Sequence, residues 1–442
     1  MEVAFTVRLL LLLISSLFLA SISVFDQTDD KIAVGDSLSA TAGNNSSWLS
    51  PSGDFAFGFR QLENSEFFLL SIWFAKIPDR TIVWYANGDR PAPKGSIVNL
   101  TSSSGLVLTT PQGEQLWRSD LTIAGVVAHG FMNDKGNFVL EDEKSEKLWE
   151  TFKNPTDTML PGQIIERGGR LSSRQSETNY ARGRFQIDFQ EDGNLVFSAK
   201  KPFYSTATTM GTVPGSEGKQ LVFNDSGNFY ILRVNGGRFT FTAEERLARD
   251  YYLRSTLNFD GVLAQYFIPK SFVDTVSWKP LWSEPDNICQ KVDSGSGVCG
   301  YNSICTLKTD QRPTCKCPRG YSLLDPNDPY GSCNPNFRRG CEDEPSFSKD
   351  LFDVQVLPNT DWLTPGYELL NASTADECSQ YCKQDCLCDV AIYHNETCWK
   401  KKLPLSYGRE DSSLNAKTFI KFRKDNSTLP VAPCRPTYNG AA

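Results

Sequence analysis

The residues best spaced for chemistry in this 442-residue chain are its 13 cysteines, and none occurs before Cys289. Cys289, Cys299, Cys305, Cys315, Cys317 and Cys333 form one run with spacing C-x9-C-x5-C-x9-C-x-C-x15-C. Cys341, Cys378, Cys382, Cys386, Cys388 and Cys398 form a second, and Cys434 stands alone in the tail. Clustered thiols either oxidise to disulfides or hold zinc. Only His129 and His394 are available as imidazole ligands. At the other end, Arg8 precedes an apolar run from Leu9 to Ala20, and small residues follow at Ser21 and Ser23. That reads as a secretory signal, residues 1–23, and export favours disulfides over zinc. Six cysteines allow 15 pairings, so spacing alone leaves the connectivity open.

Other chemistries find no constellation. The sequence has no V-A-I-K strand, H-R-D loop or D-F-G, and Gly215-Ser216-Glu217-Gly218-Lys219 lacks phosphate-loop spacing. His129 and His394 read as surface or packing residues, and Glu141, Asp142 and Glu143 as a solvated edge. The chain is therefore read as a non-enzyme that needs no cofactor and no metal. A net charge of −7 argues against nucleic acid as a partner. Seven sequons, at Asn44, Asn45, Asn99, Asn224, Asn371, Asn395 and Asn426, agree with export and are expected to accept glycans. No second apolar run reaches the roughly 20 residues that span a bilayer. The expected location is extracellular, or the plasma membrane if the gene product continues past Ala442.

The elements that position these residues are short strands. From Ile32 to Tyr266, apolar-aromatic runs such as Phe55-Ala56-Phe57-Gly58-Phe59 and Thr81-Ile82-Val83-Trp84-Tyr85 alternate with Gly, Asn, Asp and Ser. One pattern recurs five times: a polar-Gly turn, then a hydrophobic strand, entered at Phe55, Leu106, Phe138, Leu195 and Phe229. Tryptophan strands fall between, as at Trp117 and Trp149. Hairpin repeats of this kind predict rotational symmetry within closed β structures. The break Asn154-Pro155-Thr156-Asp157-Thr158-Met159-Leu160-Pro161-Gly162 interrupts strand pairing and separates two tandem copies. Near the end, Thr374-Ala375-Asp376-Glu377 is a capping box, so a helix starts at Ala375 and carries Cys378 and Cys382 on one face. Cys386 and Cys388 are then expected on one face of a following strand.

The Trp-strand and Gly-Asn repeats, the linker Phe152 to Gln163 and the order of the cysteine runs together resemble the extracellular region of the plant G-type (bulb-type) lectin S-receptor-like serine/threonine-protein kinase family. The resemblance implies a mainly β chain: a bulb-type lectin β-prism at 24–152, a second at 153–280, an EGF-like module at 285–334, a PAN/apple module of α+β type at 341–423 and a tail at 424–442. It implies the pairs Cys289–Cys305, Cys299–Cys315, Cys317–Cys333, Cys378–Cys398, Cys382–Cys388 and Cys341–Cys386. Family members continue through a membrane helix into a kinase, and both are missing from this sequence.

Mannose-binding bulb lectins carry Q-x-D-x-N-x-V-x-Y, in which amide and carboxylate groups meet sugar hydroxyls and a valine packs on ring carbons. The match here is Gln190, Asp192, Asn194 and Val196, with Ser198 in the tyrosine position and Leu195 and Phe197 facing inward. The set Asn133, Lys135, Asn137, Val139 and Glu141 keeps two of the five positions. The resemblance thus implies a recognition region that senses a mannose-type glycan or a peptide in signalling or defence. The alternatives are a soluble, kinase-less decoy or co-receptor acting through protein contacts, and a truncated form of a receptor kinase. Cys434 or the PAN module would serve homo- or heterodimer formation.

Overall fold

In the computed structural model, residues 31–424 are described apart from 42–46, 122–124, 200, 243, 273–275, 292–295 and 338–350. The expected signal segment, Asn44, Asn45, Cys341, Asn426 and Cys434 lie outside the described residues. The chain divides into two compact units.

The first unit runs to Thr151, without 62–65 and 77–91. It is built from three antiparallel sheets. One joins Ile32–Ala33, His129–Met132, Phe138–Glu141 and Lys147–Glu150. A second joins Ser37–Ser39, Ile97–Thr101, Gly105–Thr109 and Gln115–Arg118. The third joins Ser47–Leu49, Phe55–Gln61 and Phe67–Phe74, with Ala92–Pro93 on the far strand. Alternation sends Phe57, Leu106, Leu108, Phe138 and Leu140 inward, where they are fully buried. At the centre the Phe57 and Phe138 rings stack at 4.3 Å, with Trp48 5.6 Å from Phe57.

The second unit repeats this plan with three four-stranded sheets. They are Thr158–Met159, Tyr251–Leu257, Leu263–Pro269 and Lys279–Glu284; Gln163–Glu166, Gly218–Phe223, Phe229–Arg233 and Arg238–Thr240; and Arg170–Arg174, Arg182–Phe189, Leu195–Ser198 and Pro202–Ser205. Phe189, Leu195, Phe197, Phe223, Phe229, Ile231 and Leu263 close its core. Residues 77–91 also group with this unit. Trp84 Nε1 donates to the Asn154 carbonyl at 2.7 Å, and Trp278 Nε1 donates to Thr81 Oγ1 at 2.6 Å.

The hairpin repeat has one physical basis. In each of the five, the first apolar residue of the strand donates its N–H to a hydroxyl: Phe55 to Ser50, Leu106 to Ser119, Phe138 to Thr151, Leu195 to Thr206 and Phe229 to Thr242, at 2.7–3.2 Å. Each preceding glycine has positive φ. At Gly193 the requirement is twofold, because a Cβ there would also lie 2.4 Å from the Gly218 carbonyl oxygen. A sixth turn, Asn258–Val262, has the same backbone closure as the turns at 133–137, 190–194 and 224–228, through Asn258 N to Val262 O (2.9 Å) and Gly261 N to Asn258 O (3.0 Å). Its Val262 stands where the other Gly-Asn turns have asparagine, which hides it from the sequence pattern.

Beyond residue 285 the same unit is crosslinked. Cys289 is bonded to Cys305, Cys299 to Cys315, Cys317 to Cys333, Cys378 to Cys398 and Cys382 to Cys388. Cys386 is also disulfide-bonded. The helix spans Ala375–Gln384, capped by Thr374 Oγ1 accepting from Glu377 N at 3.2 Å. It packs on a five-stranded sheet ordered Phe352–Pro358, Lys417–Arg423, Val390–His394, Thr397–Lys401 and Glu368–Asn371. Cys386 and Cys388 lie in a turn rather than in the expected strand, which begins at Val390. Asp385 makes that turn: its carboxylate accepts from Leu387 N and its carbonyl from Cys388 N. The two cysteine runs are also not separate bodies. Cys305 pairs with Arg409 in a sheet that includes Thr360–Asp361, and Asn302 and Leu405 exchange hydrogen bonds of 2.7 Å.

Candidate functional site

Four of these turns share one architecture, so their side chains are directly comparable: 133–137, 190–194, 224–228 and 258–262. In the first, Asn137 is 3% exposed. Its Nδ2 donates to Glu150 Oε2 at 2.8 Å and its Oδ1 accepts from Thr151 Oγ1 at 3.0 Å. Asn133 Oδ1 caps the turn by accepting from Lys135 N and Asn137 N, both at 3.0 Å. Val139 is fully buried. Asn137 is thus tied through both ends of its amide, and Glu141 Oε2 lies 3.5 Å from His129 Nε2.

The turn at 224–228 is spent similarly. Asn228 Nδ2 donates to Glu245 Oε1 at 2.7 Å, while Asn224 Oδ1 accepts from Asn228 N. In the turn at 258–262, Asp260 is fully buried, and its carboxylate accepts from Arg312 Nε of the cysteine-rich segment. Arg312 Nη1 continues to Tyr266 Oη at 3.1 Å. Burial alone would lower the Arg312 pKa, but the Asp260 carboxylate overrides it and raises it, so the guanidinium stays ionised. Phe259 meets Tyr330 edge-on at 5.3 Å beside it. This turn is a structural clamp.

The turn at 190–194 differs. Gln190 is exposed and its amide has no intramolecular partner among the described residues. Asp192 uses one oxygen, Oδ1, to accept from Asn194 N at 2.9 Å and leaves the other unengaged among the described residues. Asn194 Oδ1 accepts from Thr206 Oγ1 (3.4 Å) and Thr208 N (3.3 Å), which fixes the side chain and leaves its NH2 unspent among the described residues. Three polar ends (amide, carboxylate oxygen and amide NH2) are therefore presented on one closed turn. Gln190 N to Asn194 O (2.9 Å) and Gly193 N to Gln190 O (2.9 Å) close it. Leu195 and Phe197 are fully buried and face inward. Val196 is only 5% exposed, held between Asp188 and Ser205 on the neighbouring strands. Ser198, opposite Gln186 and Pro202, supplies no aromatic hydroxyl. Among the sequons, Asn371 and Asn395 are exposed, and Asn99 and Asn224 are half-buried.

Both units thus contain a three-sheet β array with hydrogen-bonding side chains on its hairpin turns. Residues 81–179 match the family described as D-mannose binding lectin, and residues 213–324 match the S-locus glycoprotein domain. A G-type lectin S-receptor-like serine/threonine-protein kinase of Arabidopsis thaliana is 38% identical over 451 residues, covering 95% of this chain and 53% of that protein. A protein of the same description from Oryza sativa subsp. indica is 37% identical, covering 95% and 54%. The chain belongs to the plant G-type lectin S-receptor-like family, in the lectin-bearing extracellular region of its members. It spans about half the length of the curated relatives it matches. Among solved structures, the mannose-specific agglutinin of snowdrop (Galanthus nivalis) bulbs is 18% identical at TM-score 0.21, covering 27% of this chain and 98% of its own. The two-domain Scilla campanulata agglutinin is 14% identical at TM-score 0.22, covering 60% and 97%.

Proposed function

We propose that this chain is the extracellular recognition region of a plant lectin receptor-like protein and that it senses a neutral, mannose-type glycan at the turn 190–194. The observation that carries the reading is the contrast among the four turns. Asn137, Asn228 and Asp260 are tied to Glu150, Glu245 and Arg312, whereas Gln190, Asp192 and Asn194 keep hydrogen-bonding capacity for a ligand. A sugar's vicinal hydroxyls both donate and accept, so an amide, a carboxylate oxygen and an NH2 on one turn satisfy them without a metal. Glycan binding would then be read out through whatever the full-length protein carries beyond this region.

One observation favours the second reading, a decoy or co-receptor that binds no sugar. Ser198 replaces the aromatic hydroxyl, and Val196 is almost covered, so two of the five motif contacts are weakened. A glycan array on the secreted protein and on its Gln190→Ala and Asn194→Ala variants separates the two. Loss of a mannose-type signal in both variants supports the lectin reading; no signal in the parent protein, or binding unchanged by both substitutions, supports the second. The sequons at Asn99, Asn224, Asn371 and Asn395 carry glycans on this account, and mass spectrometry before and after glycosidase treatment would detect them.

A further inference from the structure

A pocket of about 380 Å³ opens on the C-terminal five-stranded sheet, far along the chain from the 190–194 turn. Cys398 faces the helix, where it is bonded to Cys378, so alternation turns Trp399 and Lys401 to the opposite face. Ile392 pairs directly with Trp399, and His394 follows two residues on, which places both on that same face. The loop after Thr360–Asp361 forms the wall. Its Gly366 lies so close to the indole that a Cβ would stand 3.3 Å from the ring, so glycine lets the loop approach one edge of Trp399.

The polar groups of this pocket are incompletely used. Lys401 Nζ donates to Asp361 Oδ1 at 3.0 Å and to the Trp362 carbonyl, which leaves its third proton. Asp361 Oδ2, the His394 imidazole and the Trp399 indole N–H have no partner among the described residues. Trp399 is 41% exposed, beside its strand partner Leu369 at 50%. Lys401 and Asp361 neutralise each other, so the floor carries no net charge with which to select an ion. What remains is an exposed aromatic platform ringed by a donor, an acceptor and an imidazole. That combination complements a ligand with one apolar face and a polar rim, which is the chemistry of a neutral pyranose ring.

We propose that this pocket is a second saccharide site, with the ring stacked on Trp399 and its hydroxyls bonded to Asp361, Lys401 and His394. It does not rest on the 190–194 site. The test uses the secreted protein and an array of neutral oligosaccharides that lack mannose: cello-, xylo- and chito-oligosaccharides. Oxidation of Trp399 by N-bromosuccinimide, mapped by mass spectrometry, is followed alongside. The expected result is a sugar still bound by the Asn194→Ala variant that protects Trp399. Its binding should be weakened at least about tenfold by Trp399→Ala and partly restored by Trp399→Phe. The exposure of Trp399 makes both variants compatible with folding, which disulfide mapping checks. No array sugar bound by the Asn194→Ala protein, or equal binding by Trp399→Ala, overturns the proposal. So does protection of Trp399 without added sugar that disappears in Asn395→Gln, because the chain's own glycan would then fill the pocket.

Discussion

The second β-prism and the cysteine-rich segment after residue 285 belong to one compact unit, yet they are held together by different means. In the prism, whole aromatic side chains from three sheets fill the centre, with Phe189, Phe197, Phe223 and Phe229 buried against one another. Under the helix Ala375–Gln384, the buried cluster is instead Cys378, Cys382, Cys388 and Cys398 with Ala372, Ala391 and Phe419, edged by Val354, Leu370, Tyr381 and Tyr393. A second cluster around Trp362, Phe352 and Ile420 lies in the same segment. Small modules bury too little area to fold on burial alone, and crosslinks supply the difference by restricting the unfolded chain. The lesson for function is that freedom of side chains is inherited from how each region is stabilised. A prism that closes on its own core can leave three polar ends of one turn, 190–194, without an intramolecular partner among the described residues. The turn at 258–262, which must grip the cysteine-rich segment, cannot.

The largest effect that would break this contrast comes from reduction. Each bridge contributes about 2–4 kcal/mol. Dithiothreitol should therefore raise hydrogen exchange through residues 288–423 while the amides of Leu195–Ser198 and Phe229–Arg233 stay protected. Uniform exchange across both regions would mean the prism depends on the bridges. Next in size is Arg312→Ala, which leaves Asp260 buried without its partner, a loss of about 3–5 kcal/mol. Thermal melts should register it, and it should also expose the Phe259–Tyr330 contact to proteolysis.

Asn137→Ala strips Glu150 of a buried donor and should cost about 1–3 kcal/mol of stability, measured by denaturant unfolding. Gln190→Ala, at an exposed side chain without an intramolecular partner, should leave the midpoint unchanged. Equal losses for the two would erase the distinction between structural and available turns. The smallest expected effect concerns Lys421, whose ammonium is pushed down to about 8 by burial, against the Asp389 and Asp385 carboxylates that favour it. Its folded pKa lies below the ordinary value, so the native state binds fewer protons than the unfolded state between about pH 8 and 10.5. Stability contributed by this site therefore rises with pH across that window. Lys421→Met should flatten the pH dependence of the melting temperature there; an unchanged slope would show that the lysine is not the group responsible.

Much of the fold was legible because its signals are local. A polar-Gly turn before an apolar strand marks Phe55, Leu106, Phe138, Leu195 and Phe229 without reference to anything distant. The capping residues at Thr374 and Glu377 mark the helix in the same way. What escaped the sequence depends on long-range partners. Val262 in place of asparagine hid the sixth turn, and only the folded chain brings Arg312 to Asp260. The bond from Trp84 Nε1 to the Asn154 carbonyl likewise joins residues 70 apart. At the candidate site, the motif spacing singled out Gln190, Asp192, Asn194 and Val196. It gave no means of seeing that Asn137 and Asn228 are occupied by glutamates 13 and 17 residues further on. Trp399 escaped altogether, since one tryptophan on a strand reads as core until its exposure is known.

The central claim is that equivalent turns differ in what they leave unbound, and a mannoside titration of paired variants tests it most directly. Asn194→Ala and Asn228→Ala remove the same group from turns of the same geometry. The account predicts that binding of an oligomannose glycan, followed by calorimetry, is lost in the first and kept in the second. Binding that survives Asn194→Ala, or that falls equally in both, would contradict it.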